Sequence, residues 1–307
     1  MPVLDRITIY PVKSLDGLDV TEARVLPAGG LEHDRRWQLT DLEGRVLNAK
    51  RSPLFHAIRA EFELGGAGGT SDVPRFGTHV IHLAIDPAAI AARAISGIER
   101  LTSLKPESFS LVPGPEGPCD WLSEVFGQAV LLVERADGGF PDDRDAPGPT
   151  LISTASLEAV AGWFRLAVDE CRRRFRANLE VGGCEAFWED AVASPARPEL
   201  QPPLTAGAAD LPADPYADLP PPEPQAFSIG EARFRATNVC RRCVVPSRDS
   251  RTGFVTEQFR DVFEAWRGRM LPETVDASAW DPLYRLAINT TARAAAFLEG
   301  GQPVDVA

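Results

Sequence analysis

Apolar and polar residues alternate near the start of the chain. In RITIYP (residues 6–11), Ile7 and Ile9 alternate with Thr8 and Tyr10, and in RRWQLT (35–40), Trp37 and Leu39 alternate with Arg36, Gln38 and Thr40. A period of two marks half-buried strands, and Gly17, Gly29 and Gly30 mark turns between them. The period then lengthens. Pro118 opens a helix that carries Leu122, Val125 and Phe126 on one face and stops at Gly127, and AVLLVE (129–134) reads as the strand after it. Residues 135–149, rich in Asp, Gly and Pro, read as a loop. Ser153 or Thr154 caps a second helix, in which Leu157, Val160, Ala161 and Phe164 recur at i, i+3, i+4 and i+7. The stretch 196–226 is rich in Pro, Ala and Asp and reads as an extended surface insertion. FSIGEARFRAT (227–237) reads as a hairpin turning at Gly230. Phe259, Val262, Phe263 and Trp266 share the face of a last helix, and residues 284–307 read as one or two closing strands. The class is mixed α/β, dominated by β in the first third, with no internal repeat.

Composition narrows the function classes. The chain has 307 residues, 44% hydrophobic and 25% charged, enough for one large core or two smaller ones. A net charge of −12 disfavours a nucleic-acid backbone as partner. No basic region leads into an apolar run at the start, so no secretory signal is expected. The apolar stretch from His79 to Ile98 is broken by His82, Asp86, Pro87 and Arg93, so no membrane span is expected there. Five cysteines, an odd number, fit free thiols in a reducing, cytoplasmic setting.

The chemistry concentrates in TNVCRRCVVPSRDSRTG (237–253), where Cys240 and Cys243 flank Arg241 and Arg242. Structural zinc needs four ligands, but the other cysteines are scattered and all four histidines lie in the first third. A redox dithiol needs the pair to open a helix, and Pro246 with the turn-like SRDSRTG opposes one. Two ordinary residues on the loop leaving the strand are a third reading. A fourth uses one thiolate. Neighbouring arginines favour the ionised, ligating form of a cysteine, and the same guanidiniums grip an anion. The motif thus suits a cofactor that brings both a thiophilic metal and a negative charge.

VCRRCVV…DSRTG resembles the metal-binding segment of MOSC-domain proteins, the group that includes the mitochondrial amidoxime reducing component and its bacterial relatives. Further segments follow in the family's order: IYPVKSLDG (9–17), DRRWQLTDLEGRVLNAKRSP (34–53), CDWLSEVFG (119–127), LISTASLEAV (151–160), RRRFRANLEVGGCEAFWED (172–190) and FSIGEARF (227–234). The resemblance implies a MOSC N-terminal β-rich domain over residues 1–110. It also implies a β-barrel-like MOSC domain with peripheral helices over 111–307, the cofactor lying between them. The implied cofactor is the molybdenum cofactor, a pterin dithiolene with a terminal phosphate. Cys243 is the implied metal ligand, directly preceded by Arg242. Lys13, Ser14, Arg35, Arg176, Asn178 and Arg241 fall at the matching cofactor positions, and Ser153 at a helix start is suited to an anion. Asp145 falls where the family has an acid able to supply a proton.

The departures from the pattern lie on the substrate side. Pro246-Ser247 stands where the family often has two threonines, and Ala146-Pro147 where it tends to have hydroxyls. No four-cysteine iron–sulfur spacing is present, nor the membrane anchor of the mitochondrial proteins. The implied activity is reductive removal of oxygen from a small N-hydroxylated compound, with electrons from a separate reductase or ferredoxin and no nucleic-acid or membrane partner. The rival is a non-catalytic cofactor-binding or sulfur-carrier module, because MOSC domains also occur joined to cofactor sulfurases. Without a pyridoxal-phosphate desulfurase domain, this chain would receive its sulfur from elsewhere.

Overall fold

The computed structural model describes residues 1–65, 79–114, 116–193, 225–271, 280–292 and 294–306. The Pro-rich stretch expected at 196–226 therefore falls almost wholly outside the described residues. The strands of the first half are β1 (Val3–Ile9), β2 (Leu18–Val20), β3 (Glu22–Val25), β4 (Trp37–Thr40), β5 (Val46–Leu47), β6 (Ile58–Glu63), β7 (Val80–Ile85), β8 (Glu107–Ser110) and β9 (Leu131–Glu134). Those of the second are β10 (Leu151–Ser153), β11 (Leu179–Gly182), β12 (Ala226–Ile229), β13 (Ala232–Arg241), β14 (Arg285–Ala292), β15 (Ala296–Glu299) and β16 (Val304–Val306). The helices are α1 (Pro87–Ala92), α2 (Cys119–Phe126), α3 (Thr154–Phe164), α4 (Val168–Phe175), α5 (Trp188–Ala193) and α6 (Phe259–Arg269). The class is mixed α/β and strand-dominated.

One sheet organises the molecule. Its order is β16-β12-β13-β14-β10-β11-β1-β2, so the first strand of the chain lies inside a sheet built mainly from the second half. β10 and β11 are parallel, and α3 and α4 form the crossover between them. Their residues are buried throughout, as expected of central strands covered on both faces. Two three-stranded sheets, β5-β4-β9 and β6-β7-β8, and the pair β15-β3 complete the topology. β9 pairs with β4 and β15 with β3, so both ends of the chain contribute to shared sheets.

The local patterns explain these elements. β6 buries Ile58, Ala60 and Phe62 and turns Arg59, Glu61 and Glu63 outward, a clean period of two. α2 ends at Gly127, whose φ of 66° is left-handed and suits a residue without Cβ. α3 starts at Ser153, whose hydroxyl accepts from the Ser156 N–H.

Three sequence expectations need correcting. β13 runs through Arg241, so Cys240 lies in the strand and only Cys243 beyond it. The closing segment forms three strands in two sheets, because Gly300 and Gly301 return the chain from β15 to β16. In α6, Phe259 and Phe263 are buried, but Trp266 is 40% exposed and stacks on Trp163 at a ring separation of 6.2 Å. The side chain that fills the core there is Arg267, fully buried, paired with Asp190 and set against the Phe187 and Trp280 rings.

Phe263 packs 5.4 Å from Trp163 and 5.1 Å from Tyr284, ring centre to ring centre, and is completely buried. Phe263→Ala is expected to cost about 3–5 kcal/mol through its cavity, and Trp266→Ala about 1 kcal/mol. Urea unfolding of both variants checks this, and equal losses would refute the packing assignment.

Candidate functional site

A cleft of about 1180 Å³ opens where the two ends of the chain meet. Its walls are the segment after β1, the loop around Asn48–Arg59, the loop 135–144, the end of α4, the end of β13 and part of β14. Fourteen lysines and arginines line it against five aspartates, so this acidic chain is locally basic at this cleft.

Backbone geometry aims the cations. Asp34 accepts from the Tyr10 N–H at 2.8 Å, and the Arg35 N–H donates to the Tyr10 carbonyl at 2.8 Å. Ser14 (φ 74°), Arg35 (φ 49°) and Arg176 (φ 55°) all hold left-handed backbone, uncommon for such residues and imposed here by surrounding bonds. Arg176 closes α4 in that conformation and lays its guanidinium over the Tyr10 ring at 4.0 Å. Tyr10 is buried, and burial pushes its phenol up to about 12 even with Arg176 and Arg35 opposing, so it stays protonated.

The two cysteines have different surroundings. Cys240 is 5% exposed, and its thiol donates to Asn289 Oδ1 at 2.9 Å. Burial raises it to about 11 against the lowering effects of Arg242 and Arg35, so it is a neutral thiol. At this cysteine desolvation outweighs the arginines, contrary to the sequence-based argument. Cys243 is half-buried in the turn after Arg242, whose N–H donates to the Tyr284 carbonyl at 3.0 Å.

Lys13, Ser14, Arg35, Arg176, Arg241, Arg242 and Cys243 all line the cleft. Three expected residues do not. Asn178 is 2% exposed and sits behind the wall, bonded to Arg35, Asp34, Thr150 and the Thr8 carbonyl. Ser153 is fully buried and caps α3. Asp145 is exposed outside the cleft lining, its N–H bonded to Asp143 Oδ1 at 3.0 Å. The carboxylates that reach the cleft are Asp142 and Asp143 of the same run. Asp142 pairs with Lys13 Nζ at 2.8 Å and Arg35 Nε at 3.4 Å. Partial desolvation within the cleft raises Asp142, but Arg35 and Lys13 together outweigh that and hold it well below the usual carboxylate range. Asp143 accepts from the Asn238 and Asn289 amides at 3.3 and 3.4 Å. Sequence reasoning missed Tyr10, His56, Asn238 and Asn289; an apolar pattern hides the first two, and only the fold brings the asparagines together.

The donor set suits an anionic, sulfur-ligated cofactor. Arg242 Nε is buried with no partner, although Nη2 of the same guanidinium donates to the Phe175 carbonyl. The Arg176 guanidinium makes no hydrogen bond or ion pair among the described residues, and burial pulls it below the usual arginine range. Two guanidiniums without anionic partners in the cleft that one half-buried thiol lines suit a phosphate-bearing metal complex. Among the described residues, no group of three or more His, Cys, Asp or Glu stands close enough to hold a metal by itself.

His56 lines the cleft at 8% exposure. Burial, then Arg248 and Arg59, lowers it from its ordinary 6.5 to about 4. Burial, then His79, lowers His33 likewise to about 4. A histidine kept neutral in the fold takes up its proton on unfolding. Its contribution is therefore full above about pH 6.5 and is lost as the pH falls toward 4. His56→Asn is expected to remove about one proton from the uptake on unfolding in that window. Unfolding free energies measured from pH 7 to 4.5 check this, and an unchanged slope would refute it.

Residues 1–129 match the MOSC N-terminal beta barrel domain family. The chain is 25% identical over 286 residues to the molybdenum cofactor sulfurase of Drosophila yakuba, an alignment covering 88% of this chain and 31% of that protein. It is 24% identical over 293 residues to the molybdenum cofactor sulfurase of Danio rerio, covering 87% and 31%. The chain thus spans about a third of the length of these relatives. The YUAD protein of Bacillus subtilis aligns over 100% of this chain and 96% of its own, at a TM-score of 0.38 and 9% identity, a likeness too slight to argue from. The family match over residues 1–129 and the sulfurase relatives, aligned across nearly all of the chain at about a quarter identity, support a MOSC-domain protein.

Proposed function

We propose that the protein is a molybdenum-cofactor-dependent oxidoreductase that reduces small N-hydroxylated compounds, with Cys243 as the metal's protein ligand. The observation that carries this reading is the half-buried Cys243 thiol in a cleft where Arg176 and Arg242 lack anionic partners. The cofactor, when bound, supplies a metal able to exchange two electrons and an oxygen atom with the substrate. Arg176, Arg241 and Arg242 neutralise and orient its anionic groups. Lys13, Arg35 and the Ser14 hydroxyl line the same cleft, with the protonated Tyr10 ring beneath Arg176. Cys240 keeps its proton and its bond to Asn289, which leaves Cys243 as the single ligand. Proton delivery falls to groups that line the cleft, so no role is proposed for Asp145.

Electrons would come from a separate reductase or ferredoxin in a cytoplasmic setting, and the boundary near residue 110 belongs to the same proposal. Among the described residues, no helix is long and apolar enough to cross a membrane. A second reading, a cofactor-handling or sulfur-carrier module, draws support from the relatives, which are named molybdenum cofactor sulfurases and extend well beyond this chain.

Elemental analysis of protein made in a host with an intact cofactor pathway tests the ligand. Wild type is expected to hold about one molybdenum per chain, and Cys243→Ala at least about tenfold less. Zinc, or no metal, in wild type would reject the reading. Persulfide on Cys243, with no turnover of an amidoxime under an artificial electron donor, would favour the carrier.

A further inference from the structure

Lys13 and Arg35 form a two-cation seat on the cleft wall, and the chain fills it with its own carboxylate. Asp142 reaches Lys13 Nζ at 2.8 Å and Arg35 Nε at 3.4 Å, while 64% of its side chain stays open to solvent. No other hydrogen bond or ion pair holds that carboxylate among the described residues. The residues flanking it have contacts of their own. The Phe140 N–H donates to the Arg35 carbonyl at 2.8 Å, and the Phe140 carbonyl accepts from Lys13 Nζ at 3.2 Å. On the other side, Asp143 is fastened to Asn238 and Asn289. Asp142 can therefore leave the seat by side-chain rotation alone, with the loop staying where it is.

We propose that Asp142 is an internal anion that occupies the Lys13–Arg35 seat and yields it to a phosphate-bearing ligand, making it a specificity-determining residue of the cleft. The proposal deepens the cofactor reading and rests on it for the identity of the ligand. The selectivity follows from charge. Arg35 is also paired with Asp34, so Lys13, Arg35, Asp34 and Asp142 together are neutral. A monoanion replacing Asp142 restores that balance and gains little. A dianionic phosphate brings a second charge and more acceptor oxygens to the same donors, so it displaces Asp142 where a carboxylate or chloride does not. Arg176, uncompensated nearby in the cleft, adds to the preference.

The test uses the full chain prepared without cofactor, titrated with inorganic phosphate at low ionic strength and pH 7.5. Asp142→Asn and Asp142→Ala are expected to bind phosphate about fivefold tighter than wild type, the scale of one partly exposed ion pair. Adding Lys13→Ala should abolish the gain. Asp169→Asn, which removes another cleft-lining aspartate away from the seat, should give a clearly smaller gain. Unchanged or weaker binding in both Asp142 variants would overturn the proposal. So would a gain that survives Lys13→Ala, or one matched by Asp169→Asn. Absence of measurable phosphate binding in every protein would overturn it too. Thermal unfolding without phosphate confirms that each variant is folded. Because Cys243 takes no part in the titration, a failure here leaves the molybdenum measurement to decide the cofactor reading on its own.

Discussion

The cleft depends on a buried knot of hydrogen bonds around Asp34. Its Oδ1 accepts from the Tyr10 N–H and from Asn178 Nδ2, at 2.8 and 3.0 Å, while Oδ2 pairs with Arg35. Asn178 Oδ1 accepts in turn from Arg35 at 3.2 Å and from the Thr150 N–H and hydroxyl at 3.2 and 3.1 Å. These bonds join the end of β1, the entry to β10 and the entry to β11, regions far apart in sequence. Breaking one partner of so enclosed a charge pair costs about 3–5 kcal/mol, because the other is left buried and alone. The knot therefore fixes both the seating of β1 in the large sheet and the direction of Arg35. Asn178 serves the cleft from behind its wall.

Around that knot the chain sorts its guanidiniums into two kinds. Some are paired with carboxylates. Arg174 pairs with Glu170, which also accepts from Ser250, Arg172 takes both oxygens of Glu180, and Arg267 pairs with Asp190 in the core. These hold α4, the loop after β13 and α6 against the sheets and add little net charge. Arg176 and Arg242 are left with rings and one carbonyl for company. Such groups remain charged and short of acceptors, so they offer binding energy that only an arriving anion can collect. A protein of net charge −12 can thus present a basic cleft.

Much of this was legible in the sequence wherever a local rule governs. Ile7 and Ile9 announced β1, Pro118 and Gly127 bracketed α2, and Ser153 with Leu157, Val160 and Ala161 marked α3, because alternation, caps and helical spacing act within a few residues. The order of family-like segments pointed to Lys13, Arg35, Arg176 and Arg242, and the fold gathers these around one cleft. What stayed hidden depends on distant partners. Arg267 is a core residue that no local pattern marks, because nothing nearby announces Asp190, Phe187 and Trp280. Which aspartate of the run 142–145 faces the cleft is decided by where Lys13 and the two asparagines stand, and a linear reading cannot weigh that.

The asymmetry of the two cysteines shows how a small backbone irregularity settles a chemical question. The pairing of β13 with β14 slips between Ala236 and Asn238, and again between Val239 and Arg241. A regular strand would keep Phe234, Ala236 and Cys240 on one face; with the slip, Val239 joins Phe234 and Ala236 in one core cluster and Cys240 packs into another. Cys240 is thereby drawn against Asn289 and kept neutral, while pairing stops at Arg241 and the chain turns. Cys243 falls in that turn, beside Arg242 and open to the cleft. Two thiols three residues apart thus reach different environments, one closed to chemistry by burial and one left accessible among cations. That division is why a two-cysteine motif need not be a two-cysteine site.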